Sequence, residues 1–382
     1  MARGPDGKGG GAGFSLADQL LNTDSLHDLA HEYAVLDGFD ADRFHTKALA
    51  GMAERTFLDR LDYVADCIDE QLAADFPTKA DQLEAAMPAR LNPSLKDDDF
   101  GRFIHSIPGI LAVRHGLQQH RERSLDLLYA ATQRFSMEFY IRPFLNRWPQ
   151  ETLTRLRNWA VDDNYHVRRL VSEGTRPKLP WAKNIDLDPH VPLELLDMVH
   201  ADGTRFVTRS VANHLNDIWK IDPVAAYERL ETWRDVGRQD AKELGWMTRH
   251  ALRSAVKAGA PEALALLGYN AHPSLKLAGF GLAAERFERG VPLQFEATLQ
   301  ADVDLPVVID YIVHFVKANG QTAPKTFKLK NAEIKAGTPL TVKKVHKLKW
   351  DATTFRIFPG VHRIQMQVNG MLLGDLKFDL VD

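Results

Sequence analysis

The pattern of apolar and polar positions changes once along this chain. Up to about Tyr269, apolar residues recur at mixed spacings of three and four, as in residues 18–36. This is the period of α-helices that bury one face. After about Leu277, short segments of alternating apolar and polar residues follow one another, with Asn-Gly pairs at 319–320 and 369–370. Such alternation and such turn signals predict short β-strands joined by hairpins.

The helical part contains an internal repeat. Four similar segments, aligned on an arginine, have their anchors at Arg142, Arg169, Arg209 and Arg249. Successive anchors are 27, 40 and 40 residues apart, and a step of about 40 residues is typical of HEAT-like repeats. An aspartate precedes each of the last three units: Asp163, Asp202 and Asp240. Because a single helix pair cannot bury its apolar face alone, the units are expected to stack into a curved solenoid.

Together these patterns predict the fold class, an all-α HEAT-like repeat solenoid followed by a C-terminal all-β immunoglobulin-like sandwich. The predicted domains are a glycine-rich disordered tail over residues 1–13, a repeat domain over 14–272 and a β-sandwich domain over 277–382. The sandwich lacks the Cys–Trp–Cys pattern of antibody domains, because the chain has one cysteine.

Composition removes several classes of protein. Cys67 is the single cysteine of the 382 residues, so an internal disulfide and a cysteine-based zinc cage are excluded. No apolar run approaches the ~18 residues of a membrane span. The two histidines of HDLAH, at 27–31, lack the glutamate of a zinc protease motif. We therefore expect a cytoplasmic protein with no metal, no cofactor and no membrane association.

Charge is segregated along the chain, although the net charge is only -3. Residues 134–183 hold ten basic and five acidic side chains, a net of +5, and residues 316–349 hold nine lysines and one acid, a net of +8. Segregated positive charge is typical of a surface that binds a polyanion. For the second stretch, solvated strands or protected sheet edges are an equally good interpretation.

The repeat alignment places acids among the arginines of one helical face. Glu138 lies four residues before Arg142, and Glu173 lies four residues after Arg169. Asp217 lies eight residues after Arg209. Such pairs are often plain ion pairs between exposed residues, each contributing about 0.3–0.5 kcal/mol. The other interpretation is functional, because acids in a surface that binds phosphates would repel DNA unless they stabilise a cation.

Methylated bases such as N3-methyladenine and N3-methylcytosine carry that cation. Cleavage of the N-glycosidic bond also develops positive charge on the sugar, which a carboxylate can stabilise while another positions water. An aromatic ring against the cationic base would add roughly 0.5–2 kcal/mol. Trp181 is the candidate for this contact, and Trp159 and Trp219 are the alternatives, for which packing in the core is the competing interpretation.

Four blocks of the helical part resemble one known family. They are RFSMEFYIRPFL (134–145), HVRRLVSEGTRPKLPW (166–181), RSVANHLNDIWKIDP (209–223) and TRHALRSAVKAGAPEALALLGY (248–269). In this order they are similar to the AlkC-type DNA alkylation-repair glycosylases. The resemblance implies catalysis and DNA binding by the repeat domain. It also implies functional roles for Glu138, Glu173, Asp217 and Trp181, and a C-terminal domain that helps to hold DNA. Tyr140 departs from the pattern, where a small residue is expected.

Basic side chains of the same stretches are the candidates for contacts with DNA phosphates. They are Arg142, Arg169, Arg176, Lys178, Arg209, Arg253, Lys343 and Lys344. Each phosphate contact should add about one unit to the salt slope of binding. For Arg168 and Arg169, an ion pair with Asp162 or Asp163 is the alternative, and the sequence does not separate the two.

The prediction is a monofunctional DNA glycosylase of base excision repair. It would hydrolyse the N-glycosidic bond of cationic alkylated bases in duplex DNA as a monomer, at the nucleoid when bound. No lysine stands out as a Schiff-base nucleophile, so strand cleavage is not expected. The alternatives are a non-catalytic HEAT-type scaffold for a protein partner and a damage-binding protein that releases no base.

Overall fold

The computed structural model describes residues 16–95, 97, 100–352 and 355–381. The tail expected over residues 1–13 lies outside this range. Contacts between residues divide the chain into two compact units, Met1–Met247 and Thr248–Asp382. None of the described helices is long and apolar enough to cross a lipid bilayer.

The first unit is built from α-helices. They are α1 (Leu16–Leu20), α2 (Thr23–Tyr33), α3 (Ala41–Gly51), α4 (Phe57–Asp69), α5 (Phe76–Ala85), α6 (Ile107–Leu111), α7 (Arg121–Thr132), α8 (Ile141–Arg147), α9 (Pro149–Trp159), α10 (Tyr165–Gly174), α11 (Leu193–Val199), α12 (Arg205–Trp219) and α13 (Pro223–Val236). A 3-10 turn, Phe103–Ser106, precedes α6, and a π-helical turn, Ala112–Gly116, follows it. Helix α14 (Ala241–Ala251) crosses into the second unit.

The predicted repeat is present as helix pairs. The anchors Arg142, Arg169, Arg209 and Arg249 lie on α8, α10, α12 and α14, respectively. Helix α10 packs against both α11 and α12, and α12 packs against α13, so each pair covers the apolar face of the next. The short first step of the alignment reflects the direct joining of α8 to α9, which are separated only by Trp148.

The aspartates between repeats start helices. The Asp240 carboxylate accepts the backbone N–H groups of Lys242 and Glu243 at 2.9 and 3.1 Å, and the Asp202 carboxylate accepts that of Thr204 at 2.8 Å. Such acceptors satisfy amides that have no partner inside the helix. At α10 the acceptor is Asn164, whose side-chain oxygen accepts the backbone N–H of His166 at 2.9 Å.

The second unit is a two-sheet β-sandwich with short helices before it. Helices α15 (Arg253–Ala258) and α16 (Pro261–Leu266) come first. The strands are β1 (Leu275–Leu282), β2 (Arg286–Glu288), β3 (Leu293–Ala301), β4 (Leu305–Val316), β5 (Thr322–Ile334), β6 (Leu340–His346), β7 (Asp351–Ala352), β8 (Phe355–Arg356), β9 (Gly360–Val368) and β10 (Met371–Val381). One sheet has the order β1-β3-β6 and the other β2-β10-β9-β4-β5, with β7 and β8 forming a separate ribbon.

Strand alternation builds the core of the sandwich. On β3 every second residue from Leu293 to Ala301 is buried, and these side chains meet Tyr311 and Val313 of β4. The predicted turn at Asn369-Gly370 joins β9 to β10, and both residues have positive φ, 45° and 82°. A side chain at Gly370 would place its Cβ 2.7 Å from the Gly259 carbonyl oxygen, so only glycine fits there.

Candidate active site

Five charged side chains form a continuous series of ion pairs in the first unit. Its members are Glu138, Arg169, Glu173, Arg176 and Asp217, and we call them the acid–arginine network. Arg169 Nη1 donates to Glu138 Oε2 at 2.7 Å, and its Nη2 lies 3.6 Å from Glu173 Oε2. Arg176 donates from Nη1 to Glu173 Oε1 at 2.6 Å, and from Nη2 to Asp217 Oδ2 at 2.8 Å. Acids and arginines therefore alternate from one end to the other.

Three successive repeats supply the network. Glu138 lies in the turn before α8, where the Ser136 hydroxyl donates to its carboxylate. Arg169 and Glu173 lie one turn apart on α10, and Arg176 follows the end of that helix. Asp217 comes from the last turn of α12. The network thus depends on the stacking of repeats, because no single helix carries it.

The network is largely withdrawn from solvent. Glu138 is its most accessible carboxylate, with 18% of the side chain exposed, against 6% for Glu173 and 4% for Asp217. Burial alone would raise the pKa of the Glu173 carboxyl, but the guanidinium groups of Arg169 and Arg176 outweigh it and the pKa is lowered. Glu173 is therefore ionised at neutral pH.

The acids outnumber the arginines within the network. Three carboxylates and two guanidinium groups give a formal charge of -1. Lys220 reaches Asp217 Oδ1 at 3.2 Å from the solvent side, with 41% of its side chain exposed. With Lys220 included, three carboxylates face three cationic groups, so the formal charges balance and the distinctive feature of the network is that it gathers three carboxylates at one place.

Apolar and polar contacts hold the network in place. The Arg169 guanidinium lies over the Phe206 ring, 4.4 Å from its centre, so α12 supports a side chain of α10. Next to Glu173, the Ser210 hydroxyl lies 3.0 Å from the Ser172 hydroxyl, and His214 Nδ1 lies 3.0 Å from the Ser172 carbonyl oxygen. These contacts join the two helices that carry Glu173 and Asp217.

Trp181 lies apart from these contacts, in an aromatic cleft. Its backbone has a positive φ of 66°, which is uncommon for a bulky residue, and its side chain is 60% exposed. The cleft has a volume of about 390 Å³ and is also lined by Phe139 and Tyr140, which follow Glu138 directly. Trp159 is buried against Tyr129, and Trp219 donates from Nε1 to the Tyr227 hydroxyl at 2.9 Å.

Comparisons with known proteins identify the family. The chain is 34% identical to the uncharacterized protein YhaZ of Bacillus subtilis (strain 168) over 264 residues, which span 68% of this chain and 72% of the relative. A family model described as the C-terminal Ig-like domain of uncharacterised protein YhaZ matches residues 276–382. The structure of Pseudomonas fluorescens alkylpurine DNA glycosylase AlkC, bound to DNA containing an abasic site analog, matches 97% of this chain and 100% of its own, with a TM-score of 0.86 and 32% identity.

This chain belongs to the AlkC-type family. The match confirms the predicted fold class, a helical repeat domain followed by an immunoglobulin-like domain. Within this AlkC-type chain, the three acids singled out in the sequence meet in one network. No contact in the described residues joins Trp181 to those acids, and its ring instead meets that of Phe57 at 6.5 Å.

The pairing of Glu138 differs from the prediction. Glu138 was expected to face Arg142 four residues later, but it lies in a turn before the helix and meets Arg169 of the next repeat. The spacing rule applies only inside a helix, and α8 begins at Ile141. The pair Arg169–Glu173, which lies inside α10, does form.

Arg142 does not lie where a phosphate could reach it. Only 1% of the residue is exposed, and its guanidinium donates to the carbonyl oxygens of Gly174, Arg176 and Lys183 at 3.2, 2.7 and 2.8 Å. Because these acceptors are the last residue of α10 and two residues of the loop that follows it, Arg142 orders that loop. The prediction that Arg142 contacts a DNA phosphate is therefore wrong.

The other arginines of the basic stretch also have internal partners. Arg169 and Arg176 lie in the network, and Arg168 pairs with Asp202 while donating to the carbonyl groups of Asp162 and Asp163. Arg168 thus forms an ion pair inside the protein, as the alternative to a phosphate contact predicted, although its carboxylate partner is Asp202 instead of Asp162 or Asp163. Arg209 pairs with Asp97. Lys178, by contrast, is exposed in the loop after α10 and remains a candidate for phosphate contact.

The remaining candidates belong to the second unit. Arg253 donates to the His250 carbonyl oxygen at the start of α15. Lys343 and Lys344 lie on β6 beside a groove of about 410 Å³, and Lys343 pairs with Glu296 at 3.0 Å. No group of three or more His, Cys, Asp or Glu side chains in the described part of the chain is arranged as a metal site.

Several residues of the site were missed in the sequence. Ser136 donates to Glu138, and Ser210 and His214 contact Ser172 beside Glu173, but none of the three belongs to a recognisable motif. Lys220 could have been found, because it lies three residues after Asp217 at the end of the same helix.

Proposed function

We propose that this protein is a monofunctional DNA glycosylase that releases cationic alkylated bases, N3-methyladenine and N3-methylcytosine, from duplex DNA. The observation that carries the proposal is the gathering of three carboxylates in one largely buried network, whose central member, Glu173, is ionised at neutral pH. The AlkC-type neighbour, an alkylpurine DNA glycosylase with DNA bound, supports it independently.

An ionised carboxylate suits a base that already carries charge. A neutral base leaves readily only when a proton or a positive group stabilises it, and Glu173, whose pKa is lowered, holds no proton to give. A methylated cationic base leaves without that help, while positive charge develops on the sugar. Preformed carboxylates stabilise such charge strongly in a site that excludes water. The proposed substrates are therefore limited to cationic lesions.

Differences in burial suggest how the acids share the reaction. Glu138 is the most accessible, so we assign it the position next to the sugar and the attacking water. Glu173 and Asp217 lie deeper and hold the two arginines. In this assignment Arg169 and Arg176 set the position and charge of the acids rather than bind phosphates. Hydrolysis by a positioned water needs no cofactor.

DNA would reach the network from the solvent side, near Glu138. Lys178 and Lys183 are exposed in the loop after α10 and could contact phosphates there. We place the reaction in the cytoplasm, at the nucleoid, with a monomer acting on duplex DNA.

The test is base release from duplexes that contain a single N3-methyladenine or N3-methylcytosine, scored by alkaline cleavage at the abasic site. Replacement of Glu138 by Gln should lower the single-turnover rate roughly 100-fold or more, because an electrostatic contact to the transition state is lost. Glu173→Gln should lower it at least as much. Glu231→Gln, at an exposed position of α13, is the matched control and should keep the wild-type rate.

Removal of a buried acid also leaves an arginine without its partner, which can destabilise the fold by about 3–5 kcal/mol. Each variant is therefore compared at equal folded fraction, measured by circular dichroism, and by its affinity for DNA with an abasic-site analogue. An unchanged rate in Glu138→Gln and Glu173→Gln would contradict the proposal. Binding of damaged DNA by wild-type protein without any base release would favour the damage-binding alternative.

A further inference from the structure

We propose that the aromatic cleft beside Trp181 binds the free nucleobase that the reaction releases. This inference rests on the proposed glycosylase activity, since that activity supplies the ligand. The cleft lies between α4, the π-helical turn after α6, the start of α8 and the loop after α10. Its volume of about 390 Å³ is within the range of small-molecule sites in proteins.

The walls of the cleft are suited to a flat ring. Trp181, Phe139 and Tyr140 supply aromatic surface, and Leu58 and Val113 supply aliphatic surface. Every nucleobase has a π-face, so stacking on such side chains is the usual way in which proteins hold an unpaired base. An exposed tryptophan is otherwise unusual in a folded helical domain.

Two features hold Trp181 at the mouth of this cleft. Its left-handed backbone turns the side chain out of the loop, a conformation that persists only where the surroundings enforce it. The enforcing contacts come from α8, because Arg142 donates to the Lys183 carbonyl oxygen at 2.8 Å and Asn146 donates to that of Asn184 at 3.1 Å. The loop is thereby fixed to the helix that follows Glu138.

Tyr140 is held against α6 by close packing. A Cβ added to Gly109 of α6 would lie only 2.3 Å from the Tyr140 ring, so the ring fits there because residue 109 is a glycine. Burial raises the pKa of the Tyr140 hydroxyl to about 12, which keeps it neutral. Tyr140 is the residue at which this chain departs from the family pattern, and the departure enlarges the aromatic wall of the cleft.

Polar groups at the rim match the edge of a base. Arg114 projects from the π-helical turn and pairs with Asp62 and Asp66 of α4 at 2.9 and 2.5 Å, and both Arg114 and Asp62 line the cleft. Lys183 adds an exposed amine. A purine carries ring nitrogens and an amino group that such groups can bind. A lipid or an apolar peptide would cover the solvent-exposed Asp62 carboxylate without offering it a hydrogen bond.

The chain also connects the cleft to the proposed reaction. Glu138 immediately precedes Phe139 and Tyr140, so the most accessible acid and two walls of the cleft belong to one turn. The turn that carries Glu138 thus also forms part of the cleft wall, although Glu138 itself does not line the cleft. Retention of the base in the cleft would slow its release and make the free base an inhibitor.

The experiment is calorimetric titration of the DNA-free full chain with N3-methyladenine. We expect saturable binding of one base per chain. Val113→Trp and Leu58→Trp, which fill the cleft from two sides, should each weaken binding about tenfold or more, and Trp181→Ala should do the same while Trp181→Phe retains most of the affinity. Val161→Trp, at an exposed position elsewhere in the unit, is the matched control and should bind as wild type.

Two outcomes would overturn the inference: no binding of N3-methyladenine, or equal affinity in wild type and in both filled variants, provided that circular dichroism shows them folded. The same preparations are assayed for base release, so the two proposals can fail separately. Base release without binding of the free base rejects the cleft and keeps the glycosylase. Cleft-dependent binding without base release rejects the glycosylase and keeps a nucleobase site.

Discussion

At the scale of single residues, His214 shows how a side chain away from the reaction can influence the site. The Ser172 carbonyl can only accept a hydrogen bond, so His214 Nδ1, 3.0 Å away, carries the proton. Nε2 is buried and has no hydrogen-bond partner among the described residues. Burial lowers the pKa of the imidazole to about 4, so it is neutral in the folded protein at neutral pH.

This burial predicts an acid-labile helix contact. In the unfolded chain a histidine binds a proton below about pH 6.5, but folded His214 does so only near pH 4, so stability falls as the pH drops through this window. The free energy of unfolding should lose roughly 3 kcal/mol from this residue by pH 4. Urea unfolding between pH 7 and 4 measures the effect.

His214→Asn keeps a donor for the Ser172 carbonyl but does not titrate, so its unfolding free energy should depend less on pH. His27→Asn, at an exposed position of α2, should leave the wild-type pH dependence intact. Parallel curves for wild type and His214→Asn would contradict the assignment.

Residue positions also show what sequence can and cannot predict at this site. The pair Arg169–Glu173 was predictable, because a spacing of four inside a helix fixes the contact. The bonds from Arg176 to Asp217 cross 41 residues and depend on how α10 and α12 stack. A spacing rule carries no information about that distance, so the candidate acids could be chosen but their partners could not.

At the scale of elements, the loop after α10 depends on α8. The guanidinium of Arg142 satisfies three carbonyl groups of that loop and its flanking turn, and Asn146 adds a fourth contact from the same helix. From the sequence Arg142 was assigned to DNA, because a buried arginine that binds carbonyl groups has the same sequence signature as one that binds phosphate.

Removal of the Arg142 guanidinium should therefore loosen the loop. In Arg142→Met, three carbonyl groups lose a charged donor, and we expect the free energy of unfolding of the helical unit to fall by about 3 kcal/mol. The loop after α10 should become sensitive to protease near Lys178 and Lys183. Limited proteolysis with mass spectrometry measures this directly.

Arg147→Met provides the comparison on the same helix. Arg147 is exposed and contacts Gln118 and Trp148, so its loss should cost under about 1 kcal/mol and leave the loop protected. Equal proteolysis of the two variants would show that Arg142 does not order the loop.

At the scale of the whole molecule, linear charge proved a poor guide to surface charge. Most of the basic residues between 134 and 183 are held by carboxylates or carbonyl groups, as Arg134, Arg155 and Arg168 illustrate. The spacing of apolar residues, in contrast, predicted both architectures. It changes near Leu277 because helices and strands that bury one face each require their own local spacing. The spacing of apolar residues predicts the fold because it recurs in every helix and strand. The ion-pair partners of individual charged residues do not recur in this way, so the function is harder to predict.

The lysines of β6 test whether the second unit contributes to DNA binding. In the double variant Lys343→Ala/Lys344→Ala, the slope of log affinity against log salt should decrease by about one to two units, one for each lost phosphate contact. Lys335→Ala is the control, because Lys335 pairs with two carboxylates, those of Asp304 and Glu333, at 2.9 Å, whereas Lys343 pairs with Glu296 alone. An unchanged slope in the double variant would assign these lysines to solubility alone.

The passage of the acid–arginine network through three repeats limits how this protein can evolve. Solenoid arrays commonly gain or lose units, since each unit contacts only its neighbours. Here one unit supplies Glu138, the next supplies Glu173 with both arginines, and the third supplies Asp217. A duplication or deletion between Glu138 and Asp217 would separate partners that no other unit can replace. The number of repeats is therefore fixed between Glu138 and Asp217. Repeats can be gained or lost only before or after this segment.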